Sequence, residues 1–288
     1  MILIIGSRSR TGQELLRRLR AAGAPLRIMT RTADALDGSD IVAGDLANPS
    51  SLDNAMDGVD RVFLLSSPAH DEPTCHRNAI DAARRAGVRL LVRSSILGAD
   101  PSSAARLIRH HGLSDECLRD SGVPYTIIRP NFYMHNVTAG WPSAIDPQGN
   151  YYAPAGDAAI TMTDVRDVAA VAVAALTGNG HAGQVYDVTG PESLSHADAC
   201  EKLGRRLGRT VRYVPVDDSV ARNSMLGSGM REWFADALIE LYQDYRRSGR
   251  DGYAAQVHPT VAMITGAEPR TLDEALEADV QLASGTAS

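Results

Sequence analysis

The feature of this sequence that most constrains its fold is a regular alternation between short apolar runs and segments with helical periodicity. Residues 2–5 (Ile-Leu-Ile-Ile) form an apolar run that stops at Gly6, which is typical of a strand buried on both faces. In residues 10–22, leucines recur at helical spacing. Further strands are predicted over 26–30, 40–43, 61–65, 90–94 and 125–129, and further helices over 50–56, 74–86 and 103–121. This alternation over short connections predicts right-handed βαβ units, and therefore an α/β fold with a doubly wound parallel sheet of the Rossmann type.

The pattern changes after Pro130. Residues 131–158 are rich in Asn, Gly, Pro and aromatic side chains, which predicts an irregular, aromatic loop region. Trp141, Tyr151 and Tyr152 fit either an aromatic lid over a flat ligand or simple packing against the core. Beyond this region the periodicity predicts helices over 163–176, 195–207 and 230–248, and strands over 184–188 and 211–215.

Composition and charge argue against several classes of protein. The formal net charge of −6 argues against a nucleic-acid partner, which usually needs a basic face. No apolar run approaches the length of a membrane-spanning helix. The three cysteines (Cys75, Cys117 and Cys200) suggest no disulfide framework, so a cytoplasmic location is expected. The sequence has neither paired metal-ligating histidines nor a GxSxG elbow, so neither a metal site nor a serine hydrolase is expected.

The junction between the first strand and the first helix has the composition of a nucleotide-binding loop. Its backbone N–H groups and the positive end of the helix dipole would face the pyrophosphate of a dinucleotide. Gly6 permits a tight turn and Gly12 permits close packing of helix on strand, but Ser9 stands where a third glycine would let the backbone approach the phosphates. The predicted cofactor-binding residues of this loop are Gly6, Ser7, Arg8, Ser9, Arg10, Thr11 and Gly12.

The charges around this loop favour NADP(H) over NAD(H). NAD-binding proteins usually end the second strand with an acidic residue that accepts the ribose 2′-OH, whereas here that strand ends Met29-Thr30-Arg31. The guanidinium of Arg31 would meet a 2′-phosphate with two charge-assisted hydrogen bonds, and Arg8 and Arg10 make the loop cationic. The alternative is that these arginines are solvated surface charges.

Further short segments form an ordered set over nearly the whole chain. They are Ile4-Ile5-Gly6 with Thr11-Gly12, Gly44-Asp45-Leu46 with Ser51-Leu52, and residues 58–64 (GVDRVFL), 82–88 (AARRAGV), 121–131 (SGVPYTIIRPN), 164–168 (DVRDV) and 189–192 (TGPE). This set resembles the NmrA-like branch of the atypical short-chain dehydrogenase/reductases, which includes NAD(P)H-dependent quinone reductases. The whole set, rather than any one segment, is specific for the family.

The resemblance implies that different parts of the chain bind the cofactor and the substrate. A Rossmann-type NAD(P)-binding domain is expected over residues 1–190 and a smaller C-terminal α/β substrate domain over 191–288, with residues 131–158 lining the substrate cleft. The implied cofactor contacts outside the loop are Asp45 and Leu46 beside the adenine, Ser66, Ser67 and Pro68 after the fourth strand, and Ser94 near the nicotinamide. The implied substrate contacts are Asn131, Phe132, Tyr133, His135 and Asn136. His135 departs from the family, in which an acidic residue is common at that position.

The available acid–base residues limit the chemistry. Ordinary short-chain dehydrogenases protonate an alkoxide with a Tyr and a Lys four residues apart, but Lys202, the only lysine, follows no tyrosine at that spacing. A quinone that accepts hydride gives a phenolate-like anion whose conjugate acid has a pKa of about 10, so little help from a general acid is needed. The resemblance implies His111 and Ser95 as the catalytic residues.

His111 is expected to titrate near neutrality and to donate a hydrogen bond to that developing anion. In the family's quinone reductases a histidine at this point precedes an acidic residue four positions later, which here is Asp115, and the spacing puts both residues on one helix face. The alternative is a surface histidine beside His110.

These observations predict an NADPH-dependent oxidoreductase that reduces a small, flat, conjugated acceptor such as a quinone. Two other functions stay open: a redox-sensing protein that binds NADP(H) and regulates a partner without turnover, and a redox-neutral biosynthetic enzyme on the same fold. Metal, nucleic acid and membrane are not expected as partners, and a homodimer stays open as the assembly.

Overall fold

A computed structural model describes residues 1–31 and 40–284 of the chain. The described residues form two compact units. The first unit takes those in 1–103, 108–129 and 168–187, and the second unit takes the others. That the protein divides near residue 190 into an NAD(P)-binding domain and a substrate domain stays a prediction.

Strands and helices alternate regularly through the first half of the chain and less regularly afterwards. In chain order the strands are β1 (Ile2–Ile5), β2 (Leu26–Thr30), β3 (Ile41–Ala43), β4 (Arg61–Leu64), β5 (Leu90–Ser94), β6 (Tyr125–Pro130), β7 (Asn150–Ala153), β8 (Ala159–Thr161), β9 (Gln184–Val188), β10 (Ser193–Ser195) and β11 (Arg212–Pro215). The helices are α1 (Arg10–Ala21), α2 (Pro49–Met56), α3 (Glu72–Arg85), α4 (Arg106–Asp120), α5 (Val165–Thr177), α6 (His196–Leu207), α7 (Asp218–Gly227), α8 (Glu232–Ser248), α9 (Thr260–Thr265) and α10 (Leu272–Ser284). A π-helix covers Asn136–Gly140, and 3-10 helices cover Trp141–Ala144 and Tyr253–Ala255.

The main sheet has the predicted doubly wound topology. Within the described residues it has seven strands, in the order β3-β2-β1-β4-β5-β6-β9. β1 pairs in parallel with β2 on one side and β4 on the other, so that Ile4 lies opposite both Ile28 and Phe63. The strand order reverses between β1 and β4, which is where open α/β sheets bind ligands, beyond the carboxyl ends of the strands. The predicted Rossmann-type fold is therefore confirmed.

The core of the first unit follows from the apolar runs. All four residues of β1 are buried, as expected for a strand with helices on both faces of its sheet. Helix α1 buries Leu15, Leu16 and Leu19 on its apolar stripe. One hydrophobic cluster joins β1, β2, β4, β5 and β6 to α2, α3 and α4, and fixes the strand ends from which the candidate site is built.

The second unit contains two small sheets, one with β8 antiparallel to β10 and one with β7 parallel to β11. The predicted irregular loop over 131–158 is therefore wrong in part, because β7 and the π-helix lie within it. β7 pairs Tyr151 with Tyr213, a residue far along the chain, so local periodicity does not reveal this strand. The helices α7, α9 and α10 were not predicted either. Among the described helices, none combines the length and apolar composition that crossing a membrane would take.

Candidate functional site

The loop between β1 and α1 has the tight turn and the close helix–strand packing that its glycines predict. Gly6 has a φ of +92°, and a Cβ atom there would lie 2.3 Å from the carbonyl oxygen of Leu65. A Cβ atom on Gly12 would lie 2.2 Å from the carbonyl oxygen of Gly6. Any side chain at either position would displace backbone, so the tight turn and the close helix–strand packing both depend on glycine. The loop fits a diphosphate cradle at the switch point of the sheet.

Ser9 has a local role that explains why a glycine is not needed there. Its φ of −70° and ψ of 156° are open to any residue, and it is the N-cap of α1. The hydroxyl accepts a hydrogen bond from the N–H of Gly12 at 3.0 Å and donates one to the carbonyl of Gly6 at 2.9 Å. The side chain of Ser9 is therefore bound within the loop and holds its two glycines together.

The other residues of the predicted cofactor loop differ in their exposure to solvent. Ser7 and Thr11 are buried, and Arg8 and Arg10 are exposed. Arg31 is exposed directly after β2. Exposed guanidinium groups beyond the ends of β1 and β2 suit an anionic ligand at this edge of the sheet. Their contact with a 2′-phosphate stays a prediction.

Asp45 and Leu46 lie half-buried after β3. A carboxylate oxygen of Asp45 accepts from the N–H of Ala47 at 3.0 Å, and its own N–H donates to the hydroxyl of Ser51 at 2.9 Å. The side-chain amide of Asn78, from α3, donates to the carbonyl of Leu46 at 2.8 Å. These hydrogen bonds hold the predicted adenine-binding turn in a defined shape.

The loop after β4 connects the predicted cofactor site to a buried polar cluster. Ser67 and Pro68 are exposed, whereas Ser66 is half-buried. The hydroxyl of Ser66 lies 2.9 Å from Nε2 of His76, which is buried on α3. Sequence reasoning did not find His76.

Ser94 and Ser95 lie buried at the carboxyl end of β5. The N–H of Ser95 donates to the carbonyl of Ile128 at 2.7 Å, but its hydroxyl has no hydrogen-bond partner within the described residues. Buried hydroxyls normally have a partner, so this one is suited to a bound ligand. The catalytic role of Ser95 stays a prediction.

Arg93 is the centre of the buried cluster. Its side chain is fully buried, and its guanidinium donates to Oδ1 of Asp115, to Nδ1 of His111 at 2.9 Å and to Nδ1 of His76 at 3.1 Å. The other carboxylate oxygen of Asp115 accepts from Nη2 of Arg129 at 2.8 Å. His111 and Asp115 both lie on α4 and do not contact each other directly, because the guanidinium of Arg93 bridges the two side chains.

These contacts decide where the histidine protons reside. A guanidinium can only donate, so Nδ1 of both His111 and His76 must accept, and each ring carries its proton on Nε2. Burial, and then the charge of Arg93, hold the pKa of His111 well below its usual range. The expectation that His111 titrates near neutrality is therefore wrong, and the ring is neutral with its proton on Nε2. Its side chain is 14% exposed, so it is not the surface histidine of the alternative interpretation either.

Glu72 lies beside this cluster in an unusual environment. Its side chain is 1% exposed, and neither carboxyl oxygen has a hydrogen-bond partner within the described residues. Oε1 lies 3.4 Å from Nδ1 of His111, 3.6 Å from Nη2 of Arg93 and 3.8 Å from Nδ1 of His76. Burial raises the pKa of Glu72 to about 7, against the opposing effect of Arg93. Its carboxyl group can therefore hold or lose a proton near neutral pH.

Sequence reasoning missed Arg93 and Glu72, although one signal was present. Residues 90–94 read Leu-Leu-Val-Arg-Ser, so a guanidinium stands inside a run otherwise typical of a buried strand. A charge in such a position needs buried partners. Nothing local identifies those partners as residues of α3 and α4. No group of His, Cys, Asp and Glu side chains in the described part of the chain could hold a metal ion.

The predicted substrate residues lie in the second unit. Asn131 is buried, and its amide bonds to Thr161, to the carbonyl of Ala254 and to the hydroxyl of Tyr245. These bonds give Asn131 a structural role in this unit. The remaining four are half-buried: Phe132 packs against the core, the rings of Tyr133 and His135 stack at 5.2 Å, and Asn136 begins the π-helix. Whether any of these side chains contacts substrate stays a prediction.

The aromatic side chains of the second unit surround a histidine. His196 is fully buried, with the ring of Trp141 stacked at 5.0 Å and that of Tyr151 at 6.5 Å. Trp141 and Tyr151 are buried, so packing rather than a lid describes them, whereas Tyr152 is exposed. Neither ring nitrogen of His196 has a hydrogen-bond partner within the described residues, and burial lowers its pKa to about 4.

Lys202 has a structural role in the second unit. Its ammonium group donates to Glu192 at 2.8 Å and to Asp273 at 2.5 Å. Since the sequence has no other lysine, the first unit has no lysine that could assist an acid–base step.

The fold and this arrangement define a class of protein. The profile of the NAD(P)H-binding family matches residues 6–179, and the chain belongs to that family. The family assignment agrees with the glycine-dependent turn at the switch point of the sheet, and it confirms the predicted cofactor class.

Individual relatives make the family assignment more specific. The chain is 37% identical over 279 residues to the NAD(P)H azoreductase of Xenophilus azovorans, covering 95% of this chain and 96% of that one. It is 38% identical over 275 residues to the (4-alkanoyl-5-oxo-2,5-dihydrofuran-3-yl)methyl phosphate reductase of Streptomyces griseus, covering 94% of both. The crystal structure of the Escherichia coli NADPH-dependent quinone oxidoreductase QOR2 with NADPH superposes with a TM-score of 0.87, at 26% identity over 97% of this chain and all of that one. The resemblance to NmrA-like quinone reductases is thus confirmed.

Proposed function

We propose that the protein is an NADPH-dependent reductase that transfers hydride to a small, flat, conjugated acceptor of the quinone type. Two curated relatives that match over nearly the whole chain are named as reductases. The observation that carries the proposal is His111, a neutral imidazole whose Nδ1 accepts from a buried arginine and whose Nε2–H remains to donate.

The chemistry suits this donor. Bound NADPH would supply a hydride, and a quinone that accepts it gains negative charge on an oxygen. The conjugate acid of that anion has a pKa of about 10, so a hydrogen bond from Nε2–H stabilises it without the Tyr–Lys pair. The substrates printed in the names of the azo and dihydrofuranone reductases are also conjugated acceptors that delocalise the added charge. We therefore propose the conjugated acceptor, rather than any one quinone, as the substrate class.

Turnover of NADPH with a panel of acceptors tests this function. The panel contains a quinone, an azo dye and an alkanoyl dihydrofuranone, and oxidation is followed by the absorbance of the reduced nicotinamide. We expect turnover with at least one acceptor, and we expect His111→Phe to lower kcat by about 100-fold with a smaller change in NADPH affinity. Tight NADPH binding without turnover would favour a redox sensor, and absence of binding would favour a redox-neutral enzyme.

The preference for NADPH has its own test. Arg31 is exposed beyond β2, where a 2′-phosphate would lie. We expect Arg31→Ala to weaken NADPH binding by about 1–3 kcal/mol and to leave NADH binding unchanged, as measured by calorimetric titration. Arg84→Ala, at an exposed position on α3, is the matched control. Equal affinity of the wild type for the two nucleotides would contradict the preference.

A further inference from the structure

We propose that Glu72 is the proton donor behind His111, and that its carboxyl proton passes to Nδ1 of His111 as the Nε2 proton leaves for the reduced substrate. This inference rests on the proposed function, because it needs a substrate that becomes an anion beside His111. The observation that carries it is a carboxyl group next to Nδ1 that has no hydrogen-bond partner among the described residues.

The carboxyl group of Glu72 lies close to two side chains with which it could form a hydrogen bond. Oε1 lies 3.4 Å from Nδ1 of His111 and 3.6 Å from Nη2 of Arg93. A shift of about 0.5 Å would turn either contact into a hydrogen bond. Glu72 itself is 1% exposed, whereas His111 is 14% exposed. Protons therefore reach Glu72 from outside most directly through the imidazole.

The surrounding charges leave Glu72 close to balance between its two protonation states. The charged and titratable groups around it come from four elements: His76 on α3, Arg93 on β5, His111 and Asp115 on α4, and Arg129 on β6 behind Asp115. Two arginines share Asp115, so an ionised Glu72 would bring this cluster to neutrality. Burial opposes the ionisation of Glu72, and the balance of these effects gives its carboxyl group a pKa of about 7. Such a group can give up its proton and regain it at small cost.

The proton transfer conserves charge. Hydride turns a quinone into a hydroquinone monoanion, the Nε2–H bond of His111 breaks, and its proton forms an O–H bond on the anionic oxygen. As Nη2 of Arg93 turns from Nδ1 to Glu72, it frees the single lone pair of Nδ1, which takes the carboxyl proton of Glu72 in the same step. The imidazole therefore stays neutral as the other tautomer, and the negative charge moves to Glu72, which accepts from Arg93. A proton taken up from the solvent then forms a new Nε2–H bond, and the Nδ1 proton returns to Glu72.

The tautomer of His111 gives a test that needs no turnover. In nitrogen NMR spectra of histidine-labelled protein, assigned with His111→Phe, we expect the Nε2–H tautomer at about pH 6 and a shift toward Nδ1–H at about pH 8. The shift should vanish in Glu72→Gln and persist in Glu116→Gln, a control at an exposed position of α4. A tautomer that stays constant in the wild type, or that changes equally in Glu72→Gln, would overturn the proposal.

The pH profile of kcat gives the second test. We expect wild-type kcat to fall as the pH rises through about 7, and Glu72→Gln to lower kcat by about 10–100-fold at pH 6 with a flat profile and an unchanged KM for NADPH. Glu72→Asp, which keeps a carboxyl group, should retain a pH-dependent kcat. Wild-type kcat and profile in Glu72→Gln would overturn the relay. A wild-type protein that reduces no acceptor would instead contradict the proposed function, while the tautomer measurement would still decide whether Glu72 and His111 share a proton.

Discussion

His111 of the first unit and His196 of the second are both largely shielded from solvent, and the two rings differ in what surrounds them. His111 accepts a hydrogen bond from Arg93 and lies beside Glu72, whereas His196 lies among aromatic rings such as that of Trp141. Burial lowers the pKa of both histidines. Of these two rings, only that of His111 has a tautomer fixed by a hydrogen bond from a side chain among the described residues. Burial alone therefore keeps an imidazole neutral, and a directed hydrogen bond is what prepares it to donate from a chosen nitrogen.

The largest expected effect comes from breaking the polar cluster at its centre. Arg93→Met should lower the free energy of unfolding by about 3–5 kcal/mol, because Asp115 and two histidine nitrogens lose their buried donor. Urea denaturation measures the change. The control is Arg85→Met, which removes an exposed ion pair with Asp53 and should change the free energy by less than about 1 kcal/mol. Equal effects of the two variants would mean that the cluster does not stabilise the first unit.

Glu72 should make the stability of the protein depend on pH. Its ordinary pKa is 4.5 and its folded value is about 7, so between these values the folded chain holds a proton that the unfolded chain has lost. The stabilising contribution is complete below 4.5 and is lost as the pH rises through about 7. Relative to wild type, Glu72→Gln should gain about 1–3 kcal/mol between pH 5 and pH 8 in urea denaturation. A constant difference across this range, as expected for Glu116→Gln, would contradict the raised pKa.

Replacing His111 or His196 by phenylalanine tests the contrast directly. His111→Phe should lower the free energy of unfolding by about 1–3 kcal/mol, because a buried N–H of Arg93 loses its acceptor. His196→Phe should raise it by about 1 kcal/mol, because it removes two buried nitrogens that lack partners in the described structure. Thermal and urea denaturation measure both. A loss of stability in His196→Phe would mean that bound water satisfies that ring.

The smallest expected effect concerns the N-cap of α1. Ser9→Ala should lower the free energy of unfolding by about 1 kcal/mol and Ser9→Gly by a few tenths, since the hydroxyl caps the N–H of Gly12. Calorimetric titration should give nearly the same NADPH affinity for Ser9→Gly and wild type. A large gain in affinity for the glycine variant would instead mean that the serine obstructs the phosphates.

Much of the fold was predictable because its signals are local. The apolar run of β1 and the leucines of α1 appear where the periodicity predicts them. The strand β7 was missed because its partner β11 lies far along the chain. The physical roles of Gly6 and Gly12 were predicted correctly. A tight turn and a close backbone approach both require glycine, so the residue type alone indicates them.

The candidate site was predictable only in part. His111 and its relation to Asp115 followed from helical spacing together with the family resemblance, but the guanidinium that joins them did not. Asn131 was expected to contact the substrate. Its amide group instead donates hydrogen bonds to Thr161 and to the carbonyl of Ala254, both in the second unit. Side-chain partners from distant elements decide both outcomes, and sequence spacing within one element cannot supply them.

The sequence by itself determined the order of strands and helices from β1 to β6, the glycine-dependent turn after β1 and the absence of a Tyr–Lys pair. The tertiary structure alone decided the protonation of the site: which nitrogen of His111 carries the proton, and that Glu72 titrates near neutral pH. The physical reason is that periodicity and turn chemistry act between near neighbours, whereas a pKa depends on burial and on charges brought together from α3, α4, β5 and β6.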